Sequence, residues 1–213
     1  GYLLGEHGCW AKNYMIGYDE LINLPLIVRH PDATPGRRKA LTGAIDIMPT
    51  ILDCHGVEEI PESVIGMSFV PLLTEDREHH DGLLFGYFGR EVGMTDGRYT
   101  YHRMPALNSS CDYHFTDYNL AGPGTVNEAE FGKHLKNCKG ISHFRVERQS
   151  RFPKGGDGRH LVYDSVTDPD QKNPISNSDL EGELVEHLKK LLKQADAPDR
   201  QFERLSLYNG ETI

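Results

Sequence analysis

The sequence has no apolar run approaching the ~20 residues that a membrane-spanning helix needs, so no such helix is expected. It is also short of basic residues: 23 Lys and Arg stand against 32 Asp and Glu, a formal net charge of −9. That balance argues against a broad surface for a nucleic-acid backbone, while a local basic pocket is still compatible with it. Cysteine is sparse. Cys9, Cys54, Cys111 and Cys138 form no C-x-x-C pair and are too few for a disulfide scaffold, so they leave the compartment open. There is no internal repeat and no low-complexity tract. What is present is ordinary for a globular protein: 213 residues, 38% hydrophobic and 26% charged, enough for one substantial domain or two small ones.

Residues 1–23 are rich in Gly, Tyr and polar groups and read as loop. Leu24-Pro25-Leu26-Ile27-Val28 is a continuous apolar run that predicts a buried strand, followed by turn chemistry in DATPGRR at 32–38. In AIDIMPTILDCHG, Asp46 caps a predicted helix whose first turn tolerates Pro49. Ile47, Ile51 and Leu52 share one face of it, and Gly56 offers a stop. GMSFVPLL at 66–73 predicts a short helical turn or loop. TEDREHHD at 74–81 then predicts a charged connection in which His79 and His80 are solvated. Leu83–Phe88, Glu91–Thr95, Arg98–His102 and His160–Asp164 predict strands, the middle pair joined by an Asp96-Gly97 turn. Residues 104–159 show no clear period and are expected to be a long insertion with little regular structure. Ser178 and Glu181 make a capping box for the strongest helix, in which Leu180, Leu184, Leu188, Leu191 and Leu192 recur at core spacing. The tail from Ala197 is expected to be an irregular wrap.

Four stretches in this order, GYLLGEHGCWAKN (1–13), LPLIVRHP (24–31), AIDIMPTILDCHGV (44–57) and GMSFVPLL (66–73), resemble the second half of a sulfatase of the alkaline-phosphatase-like superfamily. The family pattern D-x-x-P-T-x-L-D-x-x-G falls on Asp46, Pro49, Thr50, Leu52, Asp53 and Gly56. The pattern G-x-S-x-x-P-L-L falls on Gly66, Ser68, Pro71, Leu72 and Leu73. Val162-Tyr163-Asp164, Asp168-Pro169 and Asn173 are similar to the family's later L-Y-D-L, D-P and asparagine. The likeness covers residues 1–103 and 160–195. It implies an α/β chain: residues 1–75 as the closing part of an alkaline-phosphatase-like catalytic domain, and 76–213 as a small antiparallel-sheet subdomain with the insertion 104–159 and a terminal helix at 179–195. It also implies that Gly1 is the glycine of a metal-binding Asp-His-Gly, so that an N-terminal half of the same enzyme is expected ahead of it.

The activity implied by the resemblance is hydrolysis of a sulfuric ester, of the arylsulfatase type. Such chemistry needs an activated nucleophile, a cation on the sulfate oxygens and a proton donor for the leaving group. Sulfatases make the nucleophile, a formylglycine, from Cys or Ser in a C/S-x-P/A-x-R motif, and hold a metal, usually calcium, on Asp and Asn oxygens. No Cys or Ser here has that context: Cys9 is followed by Trp-Ala-Lys and Cys54 by His-Gly-Val. Formylglycine and Ca2+ are therefore expected from the N-terminal half, no residue of this chain is assigned as a metal ligand, and the chain alone is expected to hydrolyse nothing. Lys12 matches the family lysine that contacts the sulfate group, a role suited to a compact ammonium with three donors. His7 is the second catalytic candidate, either donating to substrate or supporting the loop of Lys12. Tyr2 is placed at the substrate entrance, and Glu6 is given only a loop-stabilising role. His102, Tyr113, His114, Arg145 and Arg148 are candidate contacts to an anionic sugar or aryl group; ordinary structural roles compete for each.

The expected partners are a sulfated small molecule or glycan and the N-terminal half, with no nucleic acid or membrane. A homo-oligomer is a possible form, because a cut domain exposes apolar surface. A phosphonate monoester hydrolase or phosphodiesterase of the same superfamily is the alternative within enzymes. A non-catalytic module binding a sulfated glycan or a protein is the alternative outside them. Cys111, His114, Cys138 and His143 also have spacings compatible with a zinc set, and Cys111 and Cys138 with a disulfide; chance spacing among eleven histidines competes with both.

Overall fold

In the computed structural model of the chain, the leucine repeat near the C-terminus forms the wall on which the main sheet is built. The structure describes residues 1–12, 15–116, 128–135, 138, 140–151 and 158–208. The wall is α3 (Ser178–Gln194), one residue ahead of the expected span. Its cap is Asn177 rather than Ser178: the Asn177 side chain accepts from the amides of Asp179 and Leu180, satisfying two donors that the first turn leaves free.

Against α3 lies a four-stranded antiparallel sheet. In order across the sheet its strands are β1 (Leu83–Gly86), β2 (Val92–Thr95), β3 (Tyr99–Arg103) and β7 (Leu161–Asp164), the last arriving from far along the chain. The register aligns Leu84 with Met94, Met94 with Tyr101 and Tyr101 with Val162. Strand side chains alternate faces, so this row points one way, onto Leu184, Leu188, Leu191 and Leu192 of α3. The turn between β2 and β3 is the predicted one, with Asp96 Oδ1 accepting from the amides of Arg98 and Tyr99. The tail is not an irregular wrap. It forms α4 (Asp199–Arg204) and then returns Leu205 and Leu207 to the same core.

The other face of this sheet is covered by the N-terminal segment. Ile16 packs with Tyr163 and Met104, and Gly17 lies against Phe85 and Ile22. The short helix α1 (Asp19–Ile22) is then fixed by a reciprocal pair: Asp19 N donates to Gln171 Oε1 at 2.9 Å, and Gln171 Nε2 donates to Asp19 Oδ1 at 3.0 Å.

Residues 104–159 contradict the expectation of little regular structure. They hold a second antiparallel sheet, β4 (Ser110–Phe115), β6 (His143–Gln149) and β5 (Glu130–Gly132), in the order β4-β6-β5. Cys111, Tyr113 and Phe115 alternate with Ser110, Asp112 and His114, a period of two that six residues carry too briefly to stand out in a polar stretch. Parts of the expected insertion, 117–127, 136–137, 139 and 152–157, lie outside the described residues.

Two further expectations fail in the first third of the chain. Leu24–Val28 forms no strand and is exposed throughout, with Ile27 at 93%. The helix α2 (Ile47–Cys54) forms as expected, yet Ile47, Met48 and Ile51 face outward. Polar bonds rather than an apolar seam hold α2. Thr50 Oγ1 donates to Asp46 O and accepts from Phe69 N, and Ser68 Oγ donates to Asp53 Oδ2. Gly66 passes so close that a Cβ there would stand 2.0 Å from the Ile45 carbonyl oxygen. The two motifs at 46–56 and 66–73 are thus one hydrogen-bonded unit.

Leu188 is 0% exposed at the centre of the α3 seam. Leu188→Ala is expected to lower the unfolding free energy by about 3 kcal/mol through lost transfer energy and the cavity left behind. Urea denaturation checks this, and a loss below about 1 kcal/mol contradicts the packing described.

Candidate functional site

The Gly5–Lys12 loop is a narrow ribbon. Leu3 N donates to Ala11 O at 2.9 Å and Gly5 N to Cys9 O at 3.1 Å, and the ribbon is closed by the single turn Glu6–Gly8. Gly5 sits at φ 124°, a conformation that side chains disfavour. Glu6 is the loop-stabilising carboxylate expected of it. It accepts from Leu4 N, and its bonds to its own amide and to that of Leu4 hold its carboxyl below the usual range.

His7 adopts φ 53°, a left-handed conformation unusual outside glycine, and it is held there from below. Its ring lies flat on Tyr18, centroids 3.5 Å apart and planes 4° from parallel. Its Nε2 lies 3.5 Å from Glu20 Oε2, and both atoms are buried without a hydrogen-bond partner. Tyr18 and Glu20 are therefore residues of the site that sequence reasoning missed. They follow the loop with no motif of their own, and only the fold sets them beneath His7.

Lys12 is exposed, and among the described residues no hydrogen bond or ion pair engages its ammonium. The Leu3–Ala11 bond joins the two edges of the ribbon, with Tyr2 preceding one partner and Lys12 following the other. Tyr2 and Trp10 are exposed too, at 47% and 69%. The ribbon thus offers one cation and two aromatic faces to solvent, a combination that suits an anionic group carried on a ring. Beneath it, residues 15–22 are bolted to the sheet. Burial pushes the Tyr18 hydroxyl and the Asp19 carboxyl above their ordinary values.

His102 is not a substrate contact. It is 0% exposed, on the face of β3 covered by the N-terminal segment, with its ring edge-on to Phe85 and Tyr163. His114 stands on the polar face of the second sheet, opposite Arg145, with its ring 5.2 Å from that of His143 and 6.1 Å from that of His134. Burial, then the neighbouring His143 imidazole, holds its pKa below the ordinary value. Arg145 is taken up by Glu130 and Asp112, and Arg148 by Glu128. Tyr113 is on the apolar face, against Phe88 and Phe115.

The zinc set does not assemble. Cys111 and His114 are three residues apart on one strand and so point to opposite faces; Cys111 Sγ is directed at Arg148 O. Cys111 and Cys138 are both free thiols. His79 and His80 are not solvated either: both are partly buried and turned onto Asp46. A recess of ≈ 220 Å³ beside Phe88, Glu91, Cys111, Asp112 and Arg204 contains none of the expected catalytic or substrate-binding residues. Among the described residues no helix is long and apolar enough to cross a membrane.

Residues 5–103 match the family described as N-sulphoglucosamine sulphohydrolase, C-terminal. An N-acetylglucosamine-6-O-sulfatase of Bacteroides thetaiotaomicron is 38% identical over 78 residues, covering 36% of this chain and 13% of that protein. A choline-sulfatase of Rhizobium meliloti is 29% identical over 108 residues, covering 47% of this chain and 20% of that protein. An N-acetylglucosamine-6-sulfatase of Capra hircus is 27% identical over 164 residues, covering 76% of this chain and 27% of that protein. The chain thus spans well under a third of the length of each of these relatives.

The burial of His102 has a thermodynamic consequence. Desolvation pushes its pKa down to about 3, so it is neutral in the folded protein and regains its ordinary value of about 6.5 on unfolding. The unfolded chain then binds the extra proton, and acid lowers stability progressively from pH ~6.5 toward 3, with no effect above that window. Between pH 6.5 and 5 this group alone is expected to cost about 2 kcal/mol. His102→Phe is expected to flatten that part of the stability–pH curve, and an unchanged slope contradicts the assignment.

Proposed function

We propose that residues 5–103 form a C-terminal sulfatase domain of the alkaline-phosphatase-like superfamily and that the chain serves the hydrolysis of a sulfuric ester, with Lys12 as its sulfate-contacting residue. The observation that carries the proposal is the state of Lys12: an ammonium that no partner among the described residues engages, on a ribbon fixed at both edges, inside the segment that matches the family. Charge on the non-bridging oxygens of a sulfate ester grows as the ester bond breaks. A preplaced ammonium stabilises that charge without reorganising at the moment of reaction.

His7 is a positioning residue in this account. Its ring is covered by Tyr18 and its free nitrogen turns inward toward Glu20, so it holds the turn rather than reaching substrate. Tyr2 and Trp10 offer stacking faces for the group that bears the sulfate, and His114 on the second sheet is the candidate for telling one sulfated substrate from another. The named activities of the relatives, on N-acetylglucosamine 6-sulfates and on choline sulfate, favour a sulfated small molecule or glycan as the class.

Formylglycine and Ca2+, the groups that such enzymes use, do not fit the residues of this chain. No Cys or Ser lies in the required motif, and among the described residues no cluster of three His, Cys or acidic ligand atoms meets the Gly5–Lys12 loop. Both groups are assigned to polypeptide other than these 213 residues. The exposed apolar side chains of Leu24, Leu26, Ile27, Ile47, Met48 and Ile51 support the same conclusion, since a surface of this kind is ordinarily covered.

In an enzyme that contains this chain, Lys12→Ala is expected to lower kcat on an aryl sulfate by about a hundredfold or more, with the fold intact by circular dichroism. Lys12→Arg is expected to recover only part of the loss, because a planar fork does not reproduce a point charge. Unchanged turnover in Lys12→Ala refutes the role. Metal-dependent turnover by the 213-residue chain alone refutes the assignment of nucleophile and metal elsewhere.

A further inference from the structure

Away from the Gly5–Lys12 ribbon, two successive imidazoles converge on one buried carboxylate. Asp46, at the entry to α2, is 0% exposed. Its orientation is set by backbone donors: Oδ1 accepts from Met67 N at 2.9 Å and Oδ2 from Gly43 N at 2.7 Å. Against Oδ2 stand His80 Nε2 at 2.8 Å and His79 Nε2 at 3.6 Å. The two rings meet edge to face, centroids 4.6 Å apart. The His79 side chain is only 9% exposed, and its Nε2 is buried without a hydrogen-bond partner. The three ligand atoms all lie within 4.8 Å of one another, the one such group of His, Cys and acidic side chains among the described residues.

A hydrogen bond from His80 accounts for one imidazole and leaves the second unexplained. Oδ2 already takes two donors, so His79 has no acceptor to reach, yet its nitrogen is aimed into the cluster and shut off from water. Buried polar atoms are ordinarily satisfied, and one that is not calls for a missing partner. A cation supplies it, because each Nε2 can then present a lone pair. Tetrahedral zinc at about 2.0–2.1 Å from each ligand sets neighbouring ligand atoms about 3.3 Å apart. The 2.8 and 3.6 Å separations between the carboxylate and the two imidazoles bracket that value, and all three ligand atoms lie within 4.8 Å. The amides of Gly43 and Met67 already form the outer shell that fixes the carboxylate.

We propose that Asp46, His79 and His80 form a binding site for a divalent transition-metal ion, zinc by its donor set of two imidazoles and one carboxylate, with solvent in the fourth position. The ion ties together two segments, the entry to α2 and the connection that leads into β1, while Met67 N of the segment at 66–69 bonds to the same carboxylate. This role is structural and rests on no part of the sulfate chemistry.

The test uses the full chain, stripped with a chelator and titrated with Zn2+ alone by calorimetry, with thermal melting alongside. One equivalent is expected to bind, with a saturable rise in Tm. Among the described residues His79 makes no hydrogen bond, so His79→Ala is expected to lose the zinc-dependent rise whatever packing it costs the metal-free protein, whereas His55→Ala, at an exposed histidine outside the cluster, keeps that rise. His79→Gln, which retains more bulk, gives the same loss if the alanine variant folds poorly. Absence of a saturable equivalent in the wild type, or an undiminished zinc response in both His79 variants, overturns the proposal.

Discussion

The docking of residues 15–22 onto the back of the β1-β2-β3-β7 sheet is the constraint on which the candidate site depends. The ribbon that carries Lys12 has no apolar core of its own. Its geometry is inherited from Ile16, Gly17 and Tyr18, which lie on the sheet, and from the reciprocal Asp19–Gln171 pair that locks α1. Tyr18 transmits that rigidity upward: it packs toward Tyr163 on one side and carries the His7 ring on the other. A glycine-framed loop that would wander in isolation is therefore held at a fixed height above a well-packed α/β layer. An ammonium placed on such a support can meet charge without first paying the entropy of being ordered.

The chain uses two different means to hold its helices. The seam between α3 and the sheet is apolar, built from Met94, Tyr101, Val162 and four leucines. The helix α2 is held instead by directed polar bonds from Asp46, Thr50 and Asp53 to the segment at 66–69, while its apolar residues look outward. Directed bonds fix an orientation without using up apolar surface. That leaves Ile47, Met48 and Ile51, like Leu26 and Ile27, exposed.

Much of this was legible in the residues themselves. The leucine spacing of α3 and the strand pair β2 and β3 joined by the Asp96-Gly97 turn each carry a local physical signal, and each appears in the structure. The motifs around Asp46 and Gly66 announced that they matter, but not that they bond to each other, because contact across some twenty residues has no local signature. The sheet β4-β6-β5 escaped notice because its strands are short and rich in His, Arg and Glu. Leu24–Val28 misled for the opposite reason: an apolar run announces burial without saying in what. Near the site, the sequence marked Lys12, Tyr2 and His7, overreached with His102, which the sheet encloses, and gave no sign of Tyr18 and Glu20.

A structure of an enzyme containing this chain, with sulfate or an unreactive sulfate ester bound, tests the central claim most directly. The account predicts Lys12 Nζ within about 2.7–2.9 Å of a sulfate oxygen, as a charge-assisted hydrogen bond demands. The same structure should keep the His7 ring stacked on Tyr18. A bound sulfate that leaves the Lys12 ammonium facing solvent, with no sulfate oxygen in hydrogen-bond reach, contradicts it.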